Sequence, residues 1–144
     1  MRVFLDANIL FSAAKSDGAI RHLLQLLMDR GHECWVDGYV VIEARRNLGT
    51  KGPDALGIFE SLLATLHVGS AHAIGAMKPE VSWLPEKDQP VLAAAMHLGC
   101  GVLVTGDRTH FGVGYGKVFG GVTIHSPRSL AEARSRRQAP LNCR

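Results

Sequence analysis

The sequence predicts an α/β protein in which helices cover both faces of a central parallel sheet, a three-layer α/β/α arrangement. Short apolar runs alternate along the chain with segments whose apolar residues follow the helical period. The run from 102 to 104 (VLV) has no polar alternation, which is typical of a strand buried on both faces in a parallel sheet. At 144 residues the chain is long enough for one domain with its own core. We assign that domain to residues 1–133 and a basic tail to residues 134–144.

Capping residues mark the boundaries of the elements in the first half of the chain. Asp17 and Asp37 are of the type that caps helix N-termini, and Gly31 is a helix stop signal. The stretch from Gly49 to Pro53 ends one helix and starts another. The predicted elements are, in order, a strand at 2–5, a helical segment at 8–14, a helix at 20–28, a strand at 33–36, a helix around 40–48 and a helix at 56–63.

The second half continues this alternation, again with proline and glycine near the boundaries. Pro90 suits the first turn of a helix that continues to residue 98, and Ser126 followed by Pro127 suits the start of the last helix, which extends to about residue 136. Five glycines predict a mobile loop over 112–121. The other predicted elements are a strand at 66–68, a loop at 79–85, and strands at 101–105 and 121–125.

Four acidic residues stand at the edges of apolar segments, although the chain has only 13 Asp and Glu in all. Asp6 and Asp107 directly follow predicted strands, so we expect them at the C-terminal edge of the sheet, where ligands of α/β proteins bind. Glu43 lies in a helix that leaves the same edge. Asp88 begins the helix before the strand at 101–105, and this position alone predicts the opposite edge unless the preceding loop carries it over.

Carboxylates beside buried segments are costly unless a partner neutralises them. If the fold brings the four acids together, a hard divalent cation such as Mg²⁺ or Mn²⁺ is the natural partner, because both prefer oxygen ligands. The seven His and three Cys show no spacing typical of a zinc site. His110 follows Asp107 closely and either reaches the rim of this site or has a structural role.

Composition limits the class of protein further. No apolar run approaches the roughly 18 residues that a membrane span needs, so we expect no membrane association. Three widely spaced cysteines predict a reducing, cytoplasmic location rather than a disulfide framework. The net charge of +3 is compatible with a polyanionic partner, and the arginines near the C-terminus form either a solvated tail or an arm that contacts phosphate.

Each of the four acids stands in a distinct local motif. The motifs are MRVFLDANIL at 1–10, EARRNL at 43–48, KDQPVLAAA at 87–95 and LVTGDRTHF at 103–111. In this order and at these spacings they resemble the PIN domain family, and GVTIHSPRSL at 121–130 resembles its closing strand and helix. Two positions depart from the family pattern: Gly106 stands where Asn is common, and Tyr39 is near a position that is often Ser or Thr.

The resemblance implies a PIN-like fold and brings Asp88 into the same site as the other three acids. Members of similar length are most often toxins of the VapC type, which are Mg²⁺- or Mn²⁺-dependent ribonucleases in type II toxin–antitoxin pairs. The resemblance therefore implies an RNA substrate and a small antitoxin partner. A homodimer is common in the family, and the apolar helices at 20–28 and 56–63 are candidate surfaces for it.

The same resemblance suggests a role for each residue of the site. Asp6, Glu43 and Asp88 are expected as the central metal ligands, with Asp107 bound to a second ion or through water. Hydrogen-bond donors to these ligands are expected from Asn8 and Thr105, while Arg108 either pairs with the acids or contacts phosphate.

Two other interpretations remain open at this stage. Taken singly, Asp88 is also typical of a helix cap, Asp107 of a turn and Glu43 of a helix surface. The chain could then be a catalytically inactive PIN-like module that binds RNA or acts as a scaffold. A phosphotransfer enzyme on a similar fold is disfavoured, since a dehalogenase-like phosphatase needs Asp where this chain has Asn8.

Overall fold

The computed structural model describes residues 1–70 and 79–137, and its centre is a six-stranded sheet. The strands lie in the order β3-β2-β1-β4-β6-β5. All neighbouring pairs are parallel except β5 with β6, which are antiparallel. The strands are β1 (Arg2–Leu5), β2 (Glu33–Asp37), β3 (His67–Gly69), β4 (Val102–Val104), β5 (Val118–Phe119) and β6 (Val122–His125).

Seven α-helices surround the sheet in the described part of the chain. Helices α1, α3 and α4 pack on one another, and α5 packs against β4 and β6. The helices are α1 (Ala7–Lys15), α2 (Ala19–Asp29), α3 (Gly38–Lys51), α4 (Leu56–Leu63), α5 (Gln89–His97), α6 (Arg108–Phe111) and α7 (Pro127–Arg137). None of the helices in the described residues is both long and apolar enough to cross a membrane.

The core is centred on β1 and β4, the two strands in the middle of the sheet. Val102, Leu103 and Val104 are all buried, and Val3, Phe4 and Leu5 of β1 are fully buried beside them. Because successive side chains of a strand point to opposite faces, helices must cover both faces of the sheet here. Burial of each of these side chains stabilises the folded state by roughly 1.5–3 kcal/mol relative to leaving it exposed. The predicted α/β fold and its buried central strand are confirmed.

The prediction of a mobile loop over 112–121 is wrong. Strand β5 forms a hairpin with β6, in which Phe119 pairs with Val122 across a two-residue turn. Both turn residues, Gly120 and Gly121, have positive φ angles of 56° and 84°, the conformation that a tight hairpin turn requires. The glycines therefore specify an ordered turn, and the sheet gains an antiparallel edge strand that the sequence did not predict.

The N-terminus of α2 differs from prediction, whereas its C-terminus agrees. Asp17 does not cap the helix, because α2 begins at Ala19 with Gly18 at the cap position. The Asp17 carboxylate instead lies 3.8 Å from Arg21 and 3.2 Å from His22, in the first turn of the helix. At the other end Gly31 has a φ of 82°, and its N–H donates to the carbonyl of Met28, which closes the last turn.

Replacing two glycines that differ in backbone conformation with alanine tests this account of the end of α2. Gly31→Ala is expected to lower the free energy of unfolding by roughly 1–2 kcal/mol, because an L-residue is strained at positive φ. Gly49→Ala is the matched control, since Gly49 lies inside α3 with no atom within 4 Å of an added Cβ. It is expected to raise that free energy by roughly 0.5–1 kcal/mol. Urea unfolding of both variants measures the difference, and changes of the same sign would contradict it.

The position of Asp88, which the residues alone left open, follows from the direction of α5. At the end of α5, the carbonyl of Leu98 accepts a 2.8 Å hydrogen bond from the guanidinium of Arg2, at the start of β1. Helix α5 therefore runs antiparallel to the strands, and its nine residues span about 14 Å. A helix that leads into a parallel strand starts at the C-terminal edge of the sheet, so Asp88 lies there with Asp6 and Asp107.

Helix α7 begins as predicted and continues into the predicted basic tail. The hydroxyl of Ser126 accepts a 3.0 Å hydrogen bond from the backbone N–H of Ser129, which makes Ser126 the N-cap before Pro127. Because α7 runs to Arg137, the first residues of the segment assigned to 134–144 are helical. Residues 138–144 lie outside the described part of the chain.

Candidate metal centre

Asp6 is the most constrained of the four acids. It follows β1 and caps α1, where its Oδ1 accepts a 2.7 Å hydrogen bond from the N–H of Ala7. Its Oδ2 accepts hydrogen bonds from the hydroxyl of Thr105 at 2.7 Å and from the amide of Asn8 at 3.1 Å. Only 5% of the residue is exposed. The carboxylate is therefore held in one orientation, with little water to solvate its charge.

Asn8 and Thr105 join the ends of β1 and β4. The Oδ1 of Asn8 accepts a 2.8 Å hydrogen bond from the N–H of Gly106, while the Oγ1 of Thr105 accepts one of 3.1 Å from the N–H of Asp107. The sequence predicted both residues as donors to the metal ligands, and both donate to Asp6 in the structure. The segment that carries Asp107 is thus tied directly to the segment that carries Asp6.

Asp88 and Asp107 meet at the imidazole of His110. Nδ1 of His110 lies 2.9 Å from Oδ2 of Asp88 and 2.9 Å from Oδ2 of Asp107. Asp107 is also the N-cap of α6, because its Oδ1 accepts the backbone N–H of His110 at 3.1 Å. Two acids far apart in sequence therefore approach one another across a single ring nitrogen.

Glu43 completes the group on the other side of an open pocket of about 270 Å³. It is an exposed residue on α3, and the wall of the pocket continues along that helix through Asn47 and Lys51. These three residues are spaced four apart, so they share one face of the helix. All four predicted acids line this pocket, together with Asn8 and Lys87.

Tyr39 holds the segment that carries Asp88 against α3. Its hydroxyl donates a 2.8 Å hydrogen bond to the backbone carbonyl of Lys87. Sequence reasoning noticed Tyr39 only as a departure from a family pattern, because nothing in the sequence indicated its partner. The spacing of Glu43, Asn47 and Lys51, in contrast, is a sequence signal that indicates a shared face of α3.

The structure narrows the alternatives that the sequence left open for Arg108 and His110. Arg108 is exposed, and within residues 1–70 and 79–137 it forms no ion pair with the acids, so only its suggested role at phosphate stays a prediction. His110 was considered for the rim, but it contacts two of the acids directly. Its position three residues after Asp107 on a short helix is the signal that could have indicated this contact.

The electrostatics of the pocket favour an added cation. The pKa of Asp6 is raised from 3.8 to about 6, and burial is the main cause. The hydrogen bonds from Thr105 and Ala7 act in the opposite direction, while the charges of Glu43 and Asp88 add to the increase. The pKa of Asp88 is also raised, first by burial, while His110 lowers it and Asp107 raises it. Carboxylates in such surroundings are stabilised by a positive ion that binds between them.

One buried oxygen supports the same conclusion. Oδ2 of Asp88 has no well-directed hydrogen bond within the described residues, although it lies close to the His110 ring. The better-directed contact of the ring nitrogen is with Oδ2 of Asp107, and one nitrogen can donate only one hydrogen bond. An oxygen-rich set of donors with an unsatisfied buried carboxylate oxygen fits a divalent cation of the Mg²⁺ or Mn²⁺ type. The residues that would hold it are Asp6, Glu43, Asp88 and Asp107.

Comparison with known proteins identifies what the chain resembles. Residues 2–109 match the family model of the PIN domain. No curated protein sequence matches the chain.

Several solved structures share its fold. VapBC2 from Rickettsia felis, bound to a DNA fragment from its promoter, aligns with a TM-score of 0.66 at 16% identity, over 88% of this chain and 98% of that one. DNA-bound VapBC from Salmonella typhimurium gives a TM-score of 0.64 at 17% identity, over the same shares of the two chains. Mycobacterium tuberculosis VapC20, a Sarcin-Ricin loop cleaving toxin, gives 0.54 at 11% identity, over 81% and 98%. At these identities the likeness shows a common three-layer α/β/α fold.

Proposed function

Because this chain belongs to the PIN domain family, we propose that it is a metal-dependent endoribonuclease and the toxin of a type II toxin–antitoxin pair. The observation that carries the proposal is the convergence of Asp6, Glu43, Asp88 and Asp107 on one open pocket. Four carboxylates in a single pocket repel an anionic substrate, so they are of use in phosphodiester chemistry only with a cation. Bound Mg²⁺ or Mn²⁺ would lower the pKa of a water molecule and stabilise the leaving oxygen.

The residues of the chain supply binding and orientation. Asp6, Glu43 and Asp88 are the proposed central ligands, and Asp107 is proposed to act on a second ion or through water. Thr105 and Asn8 keep the carboxylate of Asp6 in a fixed orientation by hydrogen bonding to its Oδ2. No side chain needs to act as the nucleophile, since the attacking group is water.

Cationic side chains at the pocket wall support a polyanionic substrate. Lys51 and Lys87 line the same pocket as the acids. Their ammonium groups can neutralise phosphates on either side of the scissile bond without contacting the metal ligands. Arg108, exposed beside Asp107, is proposed to contact phosphate in the same way. VapC20, which shares this fold, is a Sarcin-Ricin loop cleaving toxin, and RNA is the polymer that we propose for this chain.

An apolar groove on another side of the molecule supports the partner that the proposal includes. Leu24 and Met28 of α2 and Ile58 and Leu62 of α4 line this groove, which has a volume of about 210 Å³. Two of the structures that share the fold, VapBC2 and FitAB, contain both members of a pair on DNA. We propose that a small antitoxin, rather than a second copy of the chain, covers these residues.

Cleavage of a mixed RNA pool tests the activity. The purified chain, free of antitoxin and shown to be folded by circular dichroism, is expected to cut internal bonds of RNA in single-turnover reactions with Mn²⁺. Excess EDTA is expected to stop cleavage, because the carboxylates alone cannot generate hydroxide. Full activity in EDTA would contradict the metal dependence. A folded chain that binds RNA but never cuts it would favour the inactive binding module.

A further inference from the structure

The ring of His110 is placed as a potential ligand and not only as a neighbour of the acids. Its Nδ1 is 2.9 Å from one oxygen of Asp88 and 2.9 Å from one oxygen of Asp107. The three donor atoms all lie within 4.8 Å of one another, the spacing of atoms that can share one metal ion. Their side chains are between 14% and 30% exposed, so an ion can enter from the pocket.

Hydrogen bonding by the ring satisfies only one of these two oxygens. A neutral imidazole carries a single proton, so Nδ1 can donate one hydrogen bond. The better-directed contact of Nδ1 is with Asp107, whereas the buried Oδ2 of Asp88 has no well-directed hydrogen bond among the residues described. A cation between the three atoms would satisfy both carboxylates at once.

We propose that His110 is a metal ligand through Nδ1, together with Asp88 and Asp107, and that this site therefore prefers Mn²⁺ or Co²⁺ to Mg²⁺. The inference rests on the metal dependence proposed above but not on the RNA substrate. Neighbouring ligands of an octahedral ion with bonds of about 2.1 Å lie about 3.0 Å apart. The two observed nitrogen–oxygen distances of 2.9 Å match that spacing.

The local fold keeps the nitrogen and the oxygens in this arrangement. Oδ1 of Asp107 is occupied by the backbone N–H of His110, which leaves Oδ2 directed to the ring. The next residue, Phe111, is fully buried and packs edge-on against Trp83, so α6 is anchored to the core. Coordination through Nδ1 requires only that the ring proton move to Nε2, without a change in the charge of the imidazole.

The preference for the cation follows from the chemistry of the donors. Mg²⁺ selects oxygen ligands and keeps several waters, so an imidazole adds little to its binding. Mn²⁺ and Co²⁺ accept nitrogen more readily, and affinity rises from Mn²⁺ to Co²⁺ at a given site. One histidine in an otherwise carboxylate pocket therefore shifts selectivity away from Mg²⁺.

Pulsed electron paramagnetic resonance of the Mn²⁺-loaded protein tests the coordination directly. The spectrum is expected to show nuclear modulation from an imidazole nitrogen. His110→Asn is expected to abolish this modulation, although the amide keeps a hydrogen-bond donor close to the position of Nδ1. His22→Asn is the control, because His22 is exposed and pairs with Asp17 away from the pocket. Modulation that persists in His110→Asn, or is absent from the wild type, would overturn the proposal.

Metal affinities give a second readout that is independent of activity. Calorimetric titration is expected to show that His110→Asn weakens Co²⁺ binding by at least about tenfold, the scale on which even residues outside the ligand set change metal affinity. Mg²⁺ binding is expected to change much less. If His110 only orients the carboxylates, Asn restores binding and both affinities stay close to wild type. Failure of the wild type to bind Mn²⁺ would overturn this inference and the proposed metal dependence, whereas oxygen-only coordination would overturn this inference alone.

Discussion

Asp88→Asn is expected to lower the rate of Mn²⁺-dependent RNA cleavage by about 1,000-fold, the upper range for the loss of one group that stabilises a transition state. The substitution preserves the size of the side chain, so its main effect is the loss of one negative charge from the pocket. Single-turnover cleavage measures the rate. Asp17→Asn is the matched control, since Asp17 contacts only Arg21 and His22 in the described structure.

The melting temperature distinguishes loss of metal from loss of fold. A ligand at 100 times its dissociation constant stabilises the folded state by about 2.7 kcal/mol, so saturating Mn²⁺ is expected to raise the melting temperature of the wild type by several degrees. The double variant Asp6→Asn/Asp88→Asn is expected to lose this rise while remaining folded in EDTA. Equal shifts in the double variant and the wild type would remove the metal site from these residues.

The metal-free protein is expected to lose stability as the pH rises from about 4 to 7, because of Asp6. The pKa of Asp6 is about 6 in the folded state and 3.8 as its ordinary value, so folding favours the protonated carboxyl. The contribution of Asp6 to stability is complete below pH 3.8 and disappears as the pH passes 6. A difference of this size corresponds to about 3 kcal/mol, and little of it is screened because the residue is 5% exposed.

Asp6→Asn isolates this contribution from the other titrating groups. Urea unfolding in EDTA at pH 4 and pH 7.5 gives the free energy of unfolding for both proteins. The wild type is expected to lose about 2.5 kcal/mol more than the variant between the two pH values, slightly less than the full contribution because the unfolded carboxyl is already partly ionised at pH 4. Parallel losses would show that burial does not disfavour the Asp6 carboxylate. Saturating Mn²⁺ is expected to remove the difference at pH 7.5, because a cation stabilises the charged form.

The sequence was sufficient for features that depend on neighbouring residues. The apolar run before Asp6 predicts a strand that ends at an acid, and Asp37 and Ser126 cap their helices as their residue types suggest. The residues alone left the edge of the sheet at which Asp88 lies open, although a helix between parallel strands must begin at the edge where the strands end. With that rule, the position of Asp88 follows from the order of the elements alone.

Features that depend on distant side chains could not be predicted in the same way. The glycines at 120 and 121 suit a tight hairpin turn, but the hairpin also requires the pairing of Phe119 with Val122, which the glycines alone do not indicate. The bond from Tyr39 to the carbonyl of Lys87 joins segments that no local pattern relates. The contact of His110 with Asp88 likewise depends on how α5 and α6 approach in space.

The hydrogen bond between Thr105 and Asp6 has a consequence for the synthesis of the protein. The two residues are 99 positions apart, and β1 pairs with β4 in the middle of the sheet. A nascent chain that ends before residue 102 lacks the partner strand β4, the hydroxyl of Thr105 and one of the four acids, Asp107. The N-terminal half therefore cannot assemble the pocket while it leaves the ribosome. Any nuclease activity therefore begins only after Asp107 has been translated, so the pocket forms late in the synthesis of the chain.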